Sequence, residues 1–203
     1  MNIELKDGSK RVMDGPLSAY EITKQIGERL AKVALVCKVD GVLTSLRETI
    51  DHDCKFEVLT WNDEEGKSAY RHTASHILAQ AVRNIYPTVQ LAIGPAIENG
   101  FYYDFDFKTP INQGDFEKIE AEMRAIIKAD LPIERKVVSR KEAEAMLKKM
   151  KQNYKIELLS DIPEGEEISF YTQGDFIDLC AGPHLSSTGK VKEFKLTSLT
   201  GAY

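Results

Sequence analysis

The stretch His72-Thr-Ala-Ser-His76 opens a segment, Tyr70 to Tyr86, in which Ala74, Ile77, Leu78, Ala81, Val82 and Ile85 recur at helical spacing. At 3.6 residues per turn, positions i and i+4 share a face, so the spacing predicts a helix whose two imidazoles point into the same space. A second pair stands far downstream, in Cys180-Ala-Gly-Pro-His184. Three of the four histidines and one of the three cysteines thus fall into an HxxxH and a CxxxH. Two imidazoles from a helix, met by a thiolate and an imidazole from a Gly-Pro loop, are the donor set of a closed tetrahedral metal site. They are equally the groups of an acid/base cluster around a scissile bond. An ordinary amphipathic helix with two incidental histidines would explain the HxxxH alone; the CxxxH in the same chain weighs against it.

Working outward from this helix, Pro87 stops it. Val89 to Ile97 reads as a strand bent at Gly94-Pro95, and Asn99-Gly100 is a hairpin signal leading into the alternating strand Phe101 to Phe107. Asp115 to Ala129 is an amphipathic helix, followed by Pro132 and the strand Ile133 to Val138. Ser139-Arg-Lys-Glu142 has capping-box spacing and opens a helix through Met150. Tyr154 to Leu159 reads as a strand. Ser169 to Thr172 and Phe176 to Leu179 bracket Gln173-Gly174, a hairpin that delivers Asp178, Cys180 and His184 to one edge.

Upstream, two short strands, Asn2 to Lys6 and Lys10 to Met13, flank the turn Asp7-Gly8. Ser18-Ala-Tyr-Glu21 caps a helix carrying Ile22, Ile26, Leu30 and Val33, and the strands Ala34 to Val39, Val42-Leu43 and Phe56 to Thr60 follow. The order ββαββ describes a small β-grasp, ubiquitin-like unit. The acidic run Trp61 to Lys67, with its glycine, marks a boundary. The expected class is α+β: a β-grasp domain over residues 1–62 and a larger α+β domain over 63–203. His52, in the polar run Asp51 to Cys54, reads as a loop residue, and Cys37 as core.

The 203 residues are 42% hydrophobic and 29% charged, ordinary for a globular protein. No apolar run approaches the roughly 20 residues that span a bilayer, and Met1 to Asp7 lacks the pattern of a signal peptide. Cys37, Cys54 and Cys180 are too few and odd in number for a disulfide framework, so a cytoplasmic protein is expected. A net charge of −5 argues against wholesale coating of nucleic acid but leaves room for a local basic face.

Three stretches together carry a resemblance: His72-Thr-Ala-Ser-His76, Ala92-Ile-Gly-Pro-Ala-Ile-Glu-Asn-Gly-Phe-Tyr-Tyr-Asp104, and Asp178-Leu-Cys-Ala-Gly-Pro-His184. In this order they resemble the N-terminal region of bacterial-type threonyl-tRNA synthetases. The resemblance implies a TGS module at the start, then an editing domain that hydrolyses serine mischarged onto threonine tRNA. The alanyl-tRNA synthetase editing domain shares the HxxxH and CxxxH pattern; Pro183 and the β-grasp start favour the threonyl branch. The resemblance also implies that the aminoacylation and anticodon-binding domains are not in this chain, which then uses no ATP. The implied partners are the 3′ end of a threonine tRNA carrying serine and the rest of the synthetase chain.

Carried over residue by residue, the resemblance gives roles to His72, His76, Tyr103, Lys155, Asp178, Cys180 and His184. His72 would manage the leaving ribose oxygen, with neutral imidazole favoured by the dipole near the helix start. Lys155 with Cys180 or Asp178 would flank the attacking water. Asp178 is also placed to accept the substrate ammonium, while His76, Tyr103 and His184 shape the pocket. By sequence alone Lys155 is a solvent-facing lysine. His72, His76, Cys180 and His184 are also the four ligands zinc would take, but the threonyl branch is expected to edit without metal. The alternative function is a zinc-binding structural or RNA-docking module with no hydrolytic activity.

Overall fold

A computed structural model describes residues 1–201; Ala202 and Tyr203, the end of the second expected domain, lie outside them. The chain forms two compact units, one built from Met1–Tyr70 with Pro183–Ser186, the other from Arg71–Gly182 with the residues from Ser187 onward.

The first unit begins with β1 (Asn2–Leu5) and β2 (Lys10–Val12), joined by a turn in which Gly8 takes a φ of 84° and donates its N–H to the Leu5 carbonyl. That left-handed conformation is why the turn needs glycine. Then come β3 (Leu17–Ser18), α1 (Ala19–Ile26), α2 (Glu28–Val33), β4 (Val36–Val39), β5 (Val42–Thr44), β6 (Thr49–Ile50) and β7 (Cys54–Leu59). The expected capping box is complete: the Ser18 hydroxyl accepts from the Glu21 N–H, and the Glu21 carboxylate accepts from the Ser18 N–H. The main sheet runs β2-β1-β7-β4-β5, with β1 parallel to β7 and every other neighbour antiparallel. This is a β-grasp order. Ile3, Cys37 and Phe56 from the sheet bury against Ile22 of α1 and Leu46.

Helix α3 (Glu64–Ile85) starts six residues before the predicted Tyr70. Glu64, Glu65 and Gly66 of the acidic run form its first turn. Asp63 accepts a hydrogen bond from the Thr60 N–H, and Glu64 and Glu65 suit the positive end of the helix dipole. Gly66 is there for close approach, since a Cβ would collide with the Thr60 carbonyl.

In the second unit α3 continues into β8 (Gln90–Leu91), β9 (Ala96–Ile97), β10 (Gly100–Phe101), β11 (Phe105–Asp106) and α4 (Phe116–Ala129). These are followed by β12 (Ile133–Val138), α5 (Arg140–Lys149), α6 (Asn153–Asp161), β13 (Ile168–Gln173) and β14 (Phe176–Leu179). The strands β12-β13-β14 form an antiparallel sheet. Its inner face packs on α5 and α6 through Phe170, Ile168, Ala143, Leu147 and Leu159.

Two readings of the sequence are corrected. The expected strands Val89 to Ile97 and Phe101 to Phe107 are broken into two-residue pieces, β8 with β11 and β9 with β10, whose hairpin turn is Glu98-Asn99. Tyr154 to Leu159 is not a strand but most of α6. Lys155 and Leu159, four apart, are its buried face. Bonds from distant residues hold it: Arg140 donates to the Leu159 and Ile162 carbonyls at the C-terminal end, and the Asn153 N–H donates to Gln90 at the start. Such bonds satisfy groups that a helix end otherwise leaves unpaired. The second capping box is half formed, with Ser139 accepting from the Glu142 N–H. Among the described residues no helix is long and apolar enough to cross a membrane.

Candidate active site

His72 and His76 lie on one face of α3, their rings edge to face with centroids 5.0 Å apart. Because α3 starts at Glu64, His72 is more than two turns inside the helix. The dipole falls off within the first turn, so it cannot set the protonation of His72 as expected from the sequence.

What does control charge here is burial. His76 is buried, and its pKa is held well below 6.5 by desolvation first, then by His72 and the Lys155 ammonium. It is a neutral imidazole at pH 7.

The antiparallel pair β13–β14 brings Asp178 opposite Tyr171 and carries Cys180 just beyond the strand end. Asp178, 2% exposed, receives two donors. The Lys155 ammonium lies 2.9 Å from its Oδ1, and the Tyr103 hydroxyl donates to its Oδ2 at 2.8 Å. His76 Nε2 is 3.7 Å from the same Oδ2. Lys155, the residue sequence reasoning would have left in solvent, is 4% exposed. Its ammonium also lies over the Tyr103 ring, 5.4 Å from the centroid. A charge taken this far out of water is tolerated only with a close opposite charge and further hydrogen bonds, and α6 and β14 supply both partners.

Tyr103 is fixed on three sides. Its hydroxyl is bound to Asp178, its ring stacks on Phe105 with centroids 4.9 Å apart, and Gly94 lies against the ring so closely that a Cβ would overlap it. Burial and the Asp178 carboxylate push its phenol well above 10, so it remains a donor. The Gly94 carbonyl in turn accepts from Ser75, whose hydroxyl also reaches the His72 carbonyl. Sequence reading passed over Ser75, and its only signal was its place between the two histidines.

Cys180 Sγ lies 3.4 Å from His72 Nε2 and accepts from the Gly182 N–H at 3.3 Å. Burial and the Asp178 charge raise the thiol to about 12, so it is not a thiolate at neutral pH. Gly182 takes a φ of 70° and passes so close to the Tyr171 hydroxyl that a Cβ would overlap it. The donor atoms of His72, His76, Cys180 and the fully buried His184 lie within 4.8 Å of one another. In type and spacing they fit a metal ion such as zinc. All seven residues predicted from the sequence are thus buried or partly buried and most are in direct contact. His52 is elsewhere, exposed between Asp40 and Asp51.

Comparison with known proteins gives a consistent picture. Residues 168–202 match the family model described as the threonyl and alanyl tRNA synthetase second additional domain. Over all 203 residues the chain is 54% identical to the threonine–tRNA ligase of Acetivibrio thermocellus, covering 32% of that protein. It is also 54% identical to the threonine–tRNA ligase of Caldanaerobacter subterraneus subsp. tengcongensis and 50% identical to that of Symbiobacterium thermophilum. The chain is highly similar to threonyl-tRNA synthetase over its whole length, and spans about a third of the length of these curated relatives.

Proposed function

We propose that this chain is an aminoacyl-tRNA ester hydrolase that removes serine from mischarged threonine tRNA, with residues 63 onward as the editing domain and 1–62 as a TGS-like module. The observation that carries this reading is the buried Lys155–Asp178–Tyr103 network placed against His76, on a chain half identical to threonine–tRNA ligases. Ionisable groups buried this deeply beside one another, at 4% and 2% exposure, are typical of places where chemistry is done.

The reaction itself follows from a shortfall in binding. A site for threonine can demand a hydroxyl, but serine has one and lacks only a methyl, worth roughly 1–3 kcal/mol or about 10- to 200-fold. A second pocket sized for serine excludes threonine by clash. Hydrolysis there requires a held water, a group that takes its proton and a donor to the carbonyl or ribose oxygen. The neutral imidazole of His76 supplies an acceptor, and the Lys155 ammonium, with N–H groups beyond the one facing Asp178, supplies a donor. His72, facing Cys180, is assigned to the leaving ribose oxygen. Cys180 acts as a hydrogen-bonding wall and not as a nucleophile, since a thiol raised to about 12 is not ionised at neutral pH.

A second reading is a metal-binding module with no hydrolytic role, and the four clustered donors favour it. A zinc held by all four would supply structure only, with no position left for a reactive water. One experiment separates the two. The chain, without ATP, is incubated with seryl- and threonyl-charged threonine tRNA, and ester loss is followed while bound metal is assayed. Selective loss of serine is expected. Bound zinc with no hydrolysis would establish the second reading.

A further inference from the structure

The buried polar groups just behind the site do more than fill space. Gln80 is one helical turn beyond His76 on α3, and Gln173 is the last residue of β13, immediately before the two-residue turn into β14. They are 3% and 2% exposed. Two bonds run between them in opposite directions: the Gln173 side-chain amide donates to Gln80 Oε1 at 2.8 Å, and the Gln80 side-chain amide donates to the main-chain carbonyl of Gln173 at 3.2 Å. The Gln173 amide also reaches the His76 carbonyl at 3.4 Å.

We propose that Gln80 and Gln173 are positioning residues, a rivet that sets the distance between the histidine-bearing helix and the strand bearing Asp178. The inference rests on the hydrolytic reading above and adds to it the device that keeps its two halves in register. On one side, His76 and Gln80 are locked together by the helix. On the other, the ladder Gln173↔Phe176 and Tyr171↔Asp178 ties Gln173 to Asp178. Without a fixed link between these rigid elements, packed surfaces can slide by about an ångström. The contact at stake is His76 to Asp178, at 3.7 Å. Apolar packing alone would bury the same area without fixing a register, whereas a two-way amide pair is satisfied at one offset only.

The test is the double variant Gln80→Met/Gln173→Met, which keeps the volume and removes both amides together, so that neither is left buried without its partner. Its thermal midpoint is expected to stay near the parent's, while either single variant melts lower. In single-turnover deacylation of seryl-tRNA, kcat should fall about 10- to 100-fold, the scale of a misplacement of roughly 1 Å. KM should stay within about twofold. In a crystal structure of the double variant the His76–Asp178 distance should open. Should the double variant fail to fold, Gln80→Asn keeps the amide on an arm one carbon shorter and is expected to split kcat from KM in the same way. Parent-level kcat in a folded variant, or a kcat loss matched by lost folded protein with the His76–Asp178 distance unchanged, overturns the proposal. If the parent hydrolyses nothing, the hydrolytic reading has failed, and the crystallographic distance alone then decides whether the rivet sets the register.

Discussion

Replacing Lys155 with methionine keeps most of the volume and removes the charge. In the parent, Lys155 and Asp178 have side-chain exposures of 5% and 2% and their charged atoms are 2.9 Å apart. After the substitution Asp178 retains the Tyr103 hydroxyl, at 2.8 Å, as its close donor, with His76 Nε2 farther off at 3.7 Å. Breaking a buried ion pair from one side costs about 3–5 kcal/mol, because the other charge stays buried without compensation. For a chain of this size that lowers the melting midpoint by roughly 6–20 °C. Adding Asp178→Leu removes the orphaned carboxylate, leaving mainly the Tyr103 hydroxyl without its acceptor, a loss of about 1–3 kcal/mol. The double variant should therefore be more stable than Lys155→Met alone, and a thermodynamic cycle should return a coupling of about 2 kcal/mol or more. Urea unfolding of the parent, the two single variants and the double variant measures all four corners. A Lys155→Met cost below about 0.5 kcal/mol, the range of exposed pairs, would refute the burial argument. So would strictly additive single effects.

Other consequences are open to direct measurement. His76 has its pKa lowered on folding, so the unfolded chain binds the proton more readily. Its contribution to stability is present above the unfolded value of 6.5 and is lost as pH falls below it, so melting scans from pH 7.5 to 5 should show a decline that His76→Leu lessens. His72→Ala should lose about 10²–10⁴-fold in seryl-tRNA deacylation while circular dichroism shows an intact fold, whereas equal losses for His72→Ala and His76→Ala, altered by added zinc, would favour the metal reading. Gly182→Ala forces a side chain into a left-handed conformation and against Tyr171; a loss of about 1–3 kcal/mol is expected by chemical denaturation.

The elements most legible in the sequence were those whose signal is local. The Ser18 cap, the Gly8 turn, helix α4 and the β13–β14 hairpin all follow from residues within one turn of each other. The HxxxH face was legible for the same reason. Misread elements are those fixed by distant partners. Helix α6 is held by Arg140 and Gln90, and Glu64 to Gly66 belong to a helix because of Thr60 and Asp63. The burial of Lys155 was invisible because its partner lies 23 residues away on another element. Recognising it depended on resemblance and not on pattern.

On the proposed reading, rejection of threonine depends less on the size of the pocket than on the stiffness of its wall. A missing methyl discriminates by only about 10- to 200-fold, but an extra methyl is refused as strongly as the wall resists moving. Tyr103 has little freedom to yield. Rotating its ring would drive it into Gly94 or off Phe105, and shifting it along its long axis would stretch the bond to Asp178, itself held by Lys155. The charges that serve the chemistry thereby also brace the surface that selects the substrate. A variant that frees Tyr103, such as Tyr103→Phe, removes one of these restraints without changing the outline of the ring. It should therefore relax discrimination between seryl- and threonyl-tRNA more than it slows serine removal, and the ratio of the two deacylation rates measures this. A proportionate loss on both substrates would assign Tyr103 to chemistry and leave the selecting wall elsewhere.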